Sequence, residues 1–130
     1  MSLSKYMEEL RSDCVIDEIN LKESALILPA KKAKWVARLI LEKNRLNKLE
    51  KDKKNKINSL IDLIKQEAVA SLSSAVLKNL AEKDPSVIEL DENIEESKNL
   101  IDFFERIEKI MSSMSFDVGN IIKIVQLETT

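Results

Sequence analysis

Apolar residues recur at helical spacing along most of the chain, most clearly from Lys31 onward. At 100° per residue, four apolar side chains fall within an arc of about 80°: Trp35, Leu39, Leu46 and Leu49. Five basic side chains fall in a neighbouring arc of about 100°: Lys31, Lys34, Arg38, Arg45 and Lys48. The pattern predicts an amphipathic helix whose apolar face is flanked by a basic one.

The apolar stripe lapses for two turns between Leu49 and Ile57. Every residue from 50 to 56 is polar, and the position that would continue the stripe holds Lys53. Because unpaired lysines are too costly to bury in a helix seam, we expect this part of the helix to project into solvent or to face an anion. Apolar spacing resumes at Ile57 and continues to Leu80.

Prolines and capping residues set the other predicted boundaries. Ser4 and Asp17 are expected to cap two short helices before residue 30, and Pro29 predicts a kink or a fresh helix start. The helix that starts at Lys31 is predicted to end by residue 84, because the residue before Pro85 disfavours helical backbone.

Two more helices are predicted beyond Pro85. The first follows a short apolar connector at residues 87–90 and has Asp91 as its N-cap. A break at residues 115–119, which include the single glycine, separates it from a last helix, Asn120 to Leu127, that is apolar on nearly all sides. Three serines within residues 71–74, together with nearby alanines, predict a small-residue surface that lets another helix approach closely.

Composition favours the same fold class. Charged residues make up 34% of the 130 residues and aromatic residues 4%, with one Gly and two Pro, which is typical of long helices rather than a sheet or barrel. We therefore predict a single all-α domain: N-terminal helices at 1–30, a long basic and apolar helical region at 31–84, and acidic C-terminal helices at 85–130. The broad apolar faces of residues 57–80 and 100–127 predict a homo-oligomer.

Several classes of chemistry lack the residues they need. The chain has no histidine, and its single glycine cannot build a phosphate-binding loop, so we expect neither an enzyme nor a protein with a metal ion or cofactor. One cysteine, Cys14, excludes an internal disulfide and suits a reducing cytosol. No apolar run reaches the ~18 residues of a membrane span, and no signal peptide is visible.

Charge is strongly segregated along the chain. Residues 31–56 hold 11 of the 21 basic residues and three acidic residues, a local charge of +8, although the whole chain carries −2. Residues 85–130 hold four basic and ten acidic residues, a local charge of −6. The total charge therefore conceals a basic central helix and an acidic C-terminal third.

The basic stretch has two interpretations. It is either a solvated helix with pairs such as Glu42–Arg45 and Glu50–Lys54, or a surface that binds the phosphates of a nucleic acid without reading its sequence. Trp35 either packs on the apolar stripe or stacks on an unpaired base. Under the second interpretation, the candidate DNA-binding residues are Lys31, Lys34, Trp35, Arg38, Arg45, Lys48, Lys51, Lys53, Lys54 and Lys56.

An ordered set of residues resembles the UvsY recombination mediator proteins of T-even-type bacteriophages over nearly the whole chain. Its members lie at fixed spacing: Glu8 to Leu10, Asp13, Ile16-Asp17, Leu21, Ala25, Lys34-Trp35, Val87 to Asp91, Ile101 to Phe103, and Phe116. The resemblance implies a ring-shaped, open-barrel heptamer that binds single-stranded DNA. It also implies a role in the cytoplasm of the infected host, where the protein helps the phage recombinase UvsX load onto DNA covered by the phage single-strand-binding protein.

One segment departs from the family pattern. Family members can carry a basic LKARLDY-type motif implicated in DNA binding, but here residues 57–63 place Asn58 and Leu60 at its two basic positions. We expect the lysines at 51, 53, 54 and 56 to substitute. The alternative function is a helical scaffold or chaperone that binds only protein, with its basic face covered by the acidic C-terminal third of a neighbouring subunit.

Overall fold

The computed structural model describes residues 3–16, 21–68 and 70–129, and every regular element among them is an α-helix. The four helices are α1 (Leu3–Asp13), α2 (Leu21–Glu67), α3 (Ser74–Glu82) and α4 (Pro85–Thr129). The predicted all-α class is confirmed for this part of the chain. Helix α1 begins before Ser4, so that residue is not its cap, whereas the predicted cap Asp17 lies outside the described residues.

Helix α2 continues through Pro29 and through the polar stretch that interrupts the apolar stripe. Pro29 lies inside the helix, so the alternative of a fresh start there is wrong. The polar stretch from 50 to 56 is also helical. Lysine and glutamate are good helix formers, and exposed positions do not need an apolar partner to stay helical.

The predicted continuation of this helix to residue 84 is wrong, because α2 ends at Glu67 and α3 begins after Ser73. Ser73 has extended backbone (φ −68°, ψ 155°), and its hydroxyl accepts a hydrogen bond from the Val76 N–H at 3.3 Å. One of the three serines predicted to form a small-residue surface is therefore a helix cap. In this role, serine accepts a hydrogen bond from a backbone N–H that the first turn leaves free.

Helix α4 is one helix where a connector and two helices were predicted. Asp84 directly precedes it, and its carboxylate accepts hydrogen bonds from the Ser86 N–H at 2.9 Å and the Ser86 hydroxyl at 2.5 Å. Pro85 is the first helical residue, where its missing N–H is harmless. Asp91 is therefore not the N-cap, and Gly119 lies within the helix rather than at a break.

The chain divides into two compact units: residues 1–41 with 100–130, and residues 42–99. The core of the first unit is one cluster of buried apolar side chains: Leu28, Trp35, Leu39, Leu100, Phe104, Ile107, Met111 and Val118. Tyr6 of α1 packs edge-on against Trp35 and Phe104, with ring centroids 6.1 and 5.1 Å apart. In the second unit, Leu77, Ala81, Val87 and Ile94 are buried.

Candidate nucleic-acid interface

Three basic residues in the first half of α2 are bound to acidic residues of α1. Lys34 Nζ lies 2.6 Å from Asp13 Oδ2 and 3.5 Å from Glu9 Oε1. The Arg38 guanidinium binds both carboxylate oxygens of Glu9, one of them at 3.1 Å. Lys31 Nζ donates to the Asp13 carbonyl at 3.1 Å. Three predicted DNA-binding cations of the first unit are thus half-buried and already bound to α1.

These contacts favour the ionised form of the Glu9 and Asp13 carboxylates. The hydrogen bond from Arg38 lowers the pKa of Glu9, and Lys34 adds to the effect. Burial opposes ionisation of Asp13, but hydrogen bonds from Lys34 and Trp35 outweigh it and lower the pKa of that carboxyl. Glu9 in turn raises the pKa of Arg38. The cluster is a network of charge-assisted hydrogen bonds that holds α1 against α2.

Trp35 lies in the core of the first unit with none of its surface exposed. Its indole Nε1 donates to Asp13 Oδ2 at 2.8 Å. Its ring packs near Phe104 and Tyr6, and the Arg38 guanidinium carbon lies 4.7 Å from the ring centroid. A fully buried ring has no face for a base, so stacking is corrected to the packing role that the sequence also allowed.

Two candidate cations of the second unit have partners as well. Arg45 lies 2.8 Å from Glu42, as the spacing predicted, and 4.0 Å from Glu96. Lys53 lies 2.6 Å from Asp91 of α4. The position that interrupts the apolar stripe is thus a half-buried lysine neutralised by the acidic part of the same chain. The predicted Glu50–Lys54 pair does not form within the described chain.

The remaining candidates are exposed: Lys48, Lys51, Lys54 and Lys56. None of them forms an ion pair within 4 Å with a residue that the structure describes. Lys56 still lies close enough to Asp84 to help lower the pKa of that carboxyl, behind the hydrogen bonds from Ser86. Lys48, Lys51 and Lys54 follow one another at three-residue spacing, so they share one side of α2.

The structure also shows a cleft that the sequence did not reveal. It has a volume of about 370 Å³ and lies between α2 and α3 in the second unit. Lys53, Lys54 and Lys78 line it together with Glu50 and Glu82. The lining comes from two separate helices, because α2 ends at Glu67 and α3 begins at Ser74, a break that apolar spacing alone did not indicate.

The two residues that replace the basic positions of the family motif differ in exposure. Asn58 is exposed on α2, whereas Leu60 is half-buried.

Among residues 3–16, 21–68 and 70–129, no group of three or more Cys, Asp or Glu side chains is placed to hold a metal ion. No helix in this described part is long and apolar enough to cross a membrane.

The helices and their charges define a small all-α protein with a row of exposed lysines on its longest helix. The chain belongs to the UvsY family, because residues 9–130 match the family model described as "Recombination, repair and ssDNA binding protein UvsY". This confirms the resemblance found in the sequence.

Solved structures show the same fold. The bacteriophage T4 recombination mediator protein UvsY in lattice type IV has a TM-score of 0.83 and 23% identity, over 98% of this chain and 99% of that one. The same T4 protein in lattice type II has a TM-score of 0.82 and 20% identity, over 100% and 99% of the two chains. No curated protein matches the chain significantly in sequence.

Proposed function

We propose that this protein is a non-enzymatic recombination mediator that binds single-stranded DNA without sequence preference. It promotes loading of a UvsX-like phage recombinase onto DNA covered by the phage single-strand-binding protein, in the cytoplasm of the infected host. Family membership over residues 9–130 is the observation that carries this proposal. The basic surface of α2 supplies a physical means of holding DNA.

Binding centres on the exposed lysines of α2. Lys48, Lys51, Lys54 and Lys56 are available to phosphates because they are exposed and form no ion pair within 4 Å in the described chain. Each lysine that neutralises a phosphate releases counterions, so affinity falls as salt rises. Four other predicted cations contribute to DNA binding only when their contacts with Glu9, Asp13 and Asp91 open: Lys31, Lys34, Arg38 and Lys53.

The mediator acts as a ring-shaped homo-oligomer, and we propose the heptamer that the resemblance implies. The end of α4 leaves several apolar side chains exposed: Phe116, Ile121, Ile124, Val125 and Leu127. On α2, Leu26 and Leu41 are 80% and 68% exposed. Exposed apolar surface of this kind is buried by association, and a ring multiplies each row of lysines into a multivalent band.

Loading follows from mass action. Subunits that hold the strand at several points favour a DNA conformation that the recombinase accepts and weaken the hold of the single-strand-binding protein. The step breaks no covalent bond.

A second candidate function is a helical scaffold or chaperone that binds only protein. The paired cations favour it, because three of the predicted DNA-binding residues are paired with carboxylates of the same chain. A fourth, Lys31, is bound to the Asp13 carbonyl. Under this alternative, the remaining lysines only keep α2 solvated.

Fluorescence anisotropy with labelled oligo-dT over a salt series separates the two functions. The mediator should bind at low salt and lose affinity steeply as salt rises. Replacing Lys48, Lys51 and Lys54 with alanine should weaken binding and reduce the salt slope by about 2, since each phosphate contact on a single strand contributes ~0.7.

A matched control removes three exposed lysines of α4 (Lys98, Lys109 and Lys123) and changes the net charge equally. It should retain the wild-type salt slope. Absence of binding by the wild-type chain at low salt would favour the scaffold, and an equal loss in both variants would show that only the total charge matters.

A further inference from the structure

Between positions 44 and 58 of α2, three exposed lysines share one side of the helix with asparagines and with no other residue type. Seven residues between positions 44 and 58 fall within an arc of about 120° at 100° per residue. We call them the lysine–asparagine row: Asn44, Asn47, Lys48, Lys51, Lys54, Asn55 and Asn58. All seven are exposed, and at 1.5 Å per residue they extend over about 21 Å.

An ordinary solvated helix face does not have this composition. Such a face mixes glutamate with lysine, because oppositely charged neighbours one turn apart stabilise the helix. Here the acidic residues of the same stretch, Glu50 and Asp52, fall outside the arc. Asparagine is also among the poorer helix formers, since its side chain competes for backbone hydrogen bonds. Four asparagines in one helical stripe therefore work against the element that carries them.

The asparagine side chains of the row have no role inside the subunit. None of the four amides is hydrogen-bonded to another residue in the described parts of the chain, and none caps a helix, because all lie inside α2. Each amide offers one acceptor oxygen and two N–H donors, whereas a lysine ammonium only donates. The row thus combines charges that attract phosphates with amides able to bond to sugars, phosphates and base edges.

We infer that Asn44, Asn47, Asn55 and Asn58 are contact residues for an unpaired nucleic-acid strand that lies along the lysine–asparagine row. The inference rests on the proposed function and assigns the hydrogen-bonding part of the affinity to these amides. Lysine contacts displace counterions and are weakened by salt, whereas amide contacts exchange no ions. Affinity from the asparagines is therefore insensitive to salt, and this property separates their contribution from that of the lysines.

The test replaces Asn47 and Asn55 with alanine, a better helix former, so helical content by circular dichroism should be unchanged or higher. Anisotropy with oligo-dT should show about a tenfold loss of affinity at every salt concentration, with the wild-type salt slope. The matched control replaces Asn79 and Asn99, exposed helical asparagines outside the row, and should bind as the wild type does.

Wild-type affinity in the Asn47 and Asn55 variant would overturn the inference while leaving the proposed function intact. Absence of oligo-dT binding by the wild-type chain would overturn both. Binding of poly-glutamate, measured in the same way, tests whether the row is specific for nucleic acid. If it bound as tightly as oligo-dT and depended equally on Asn47 and Asn55, the row would be a surface for acidic protein, and the inference would be wrong.

Discussion

At the scale of residues, Asp13 and Glu9 bind three cations that the sequence alone marks as available to DNA. Asp13 has the greater structural weight, because its carboxylate accepts hydrogen bonds from both Lys34 and the buried Trp35 indole. Its removal leaves a buried N–H without a partner, which is more damaging than the loss of an exposed ion pair.

Replacing Asp13 with alanine should lower the free energy of unfolding by about 2 kcal/mol, because the Trp35 N–H loses its acceptor in the core. Urea unfolding followed by Trp35 fluorescence measures this change. Glu8→Ala is the matched control on α1, since Glu8 is exposed, and it should change stability by less than ~0.5 kcal/mol. Equal effects of the two substitutions would contradict the assigned role of Asp13.

The same pairs predict a pH dependence. Glu9 and Asp13 have folded-state pKa values below their ordinary values of 4.5 and 3.8. Their stabilising contribution is therefore complete above those ordinary values and is lost as the pH falls through the lowered folded-state values. Unfolding free energies from pH 7 to pH 3 should show this loss in the wild type.

A Glu9→Gln, Asp13→Asn variant supplies the comparison for the pH experiment. It should be less stable than the wild type at pH 7, and the difference should shrink at acid pH, where the wild-type carboxylates also become neutral. A difference that stays constant down to pH 3 would show that the ion pairs contribute nothing to stability.

At the scale of elements, the continuity of α4 shows how packing overrides a local stop signal. Gly119 costs a helix about 1 kcal/mol relative to alanine, but Val118 beside it is fully buried in the core of the first unit. A Cβ built at Gly119 meets nothing within 4 Å, and no positive φ occurs among the described residues. The glycine is therefore not required by the backbone of the subunit.

Gly119→Ala should raise the free energy of unfolding by up to about 1 kcal/mol, because alanine loses less backbone freedom on folding and finds open space. Chemical denaturation measures the gain. Ser115→Ala, at an exposed position of the same helix, controls for the general effect of alanine and should give a smaller gain. A destabilised Gly119→Ala protein would show that the position needs glycine after all.

At the scale of the whole molecule, the sequence predicted the family, the all-α class and the basic region, because these depend on periodicity, composition and local charge. It did not predict which cations stay available. Arg38 is neutralised by Glu9, 29 positions away, and Lys53 by Asp91 on another helix. Such pairs depend on how helices pack, and local spacing does not encode that.

The break between Glu67 and Ser73 escaped prediction for a related reason. Apolar spacing continues from Ile57 to Leu80 as though one helix ran through it. The cap at Ser73 becomes recognisable only once the helix end is known, since serines inside helices are common. Because that break was not predicted, the cleft beside Lys54 was not predicted either.

Light scattering with and without a short oligo-dT tests whether an oligomer of this chain holds single-stranded DNA. We expect a solution mass near seven times the 14.9 kDa of one chain, which rises by the mass of the strand when DNA is added at low salt. A monomer of 14.9 kDa whose mass does not change with DNA would contradict this expectation.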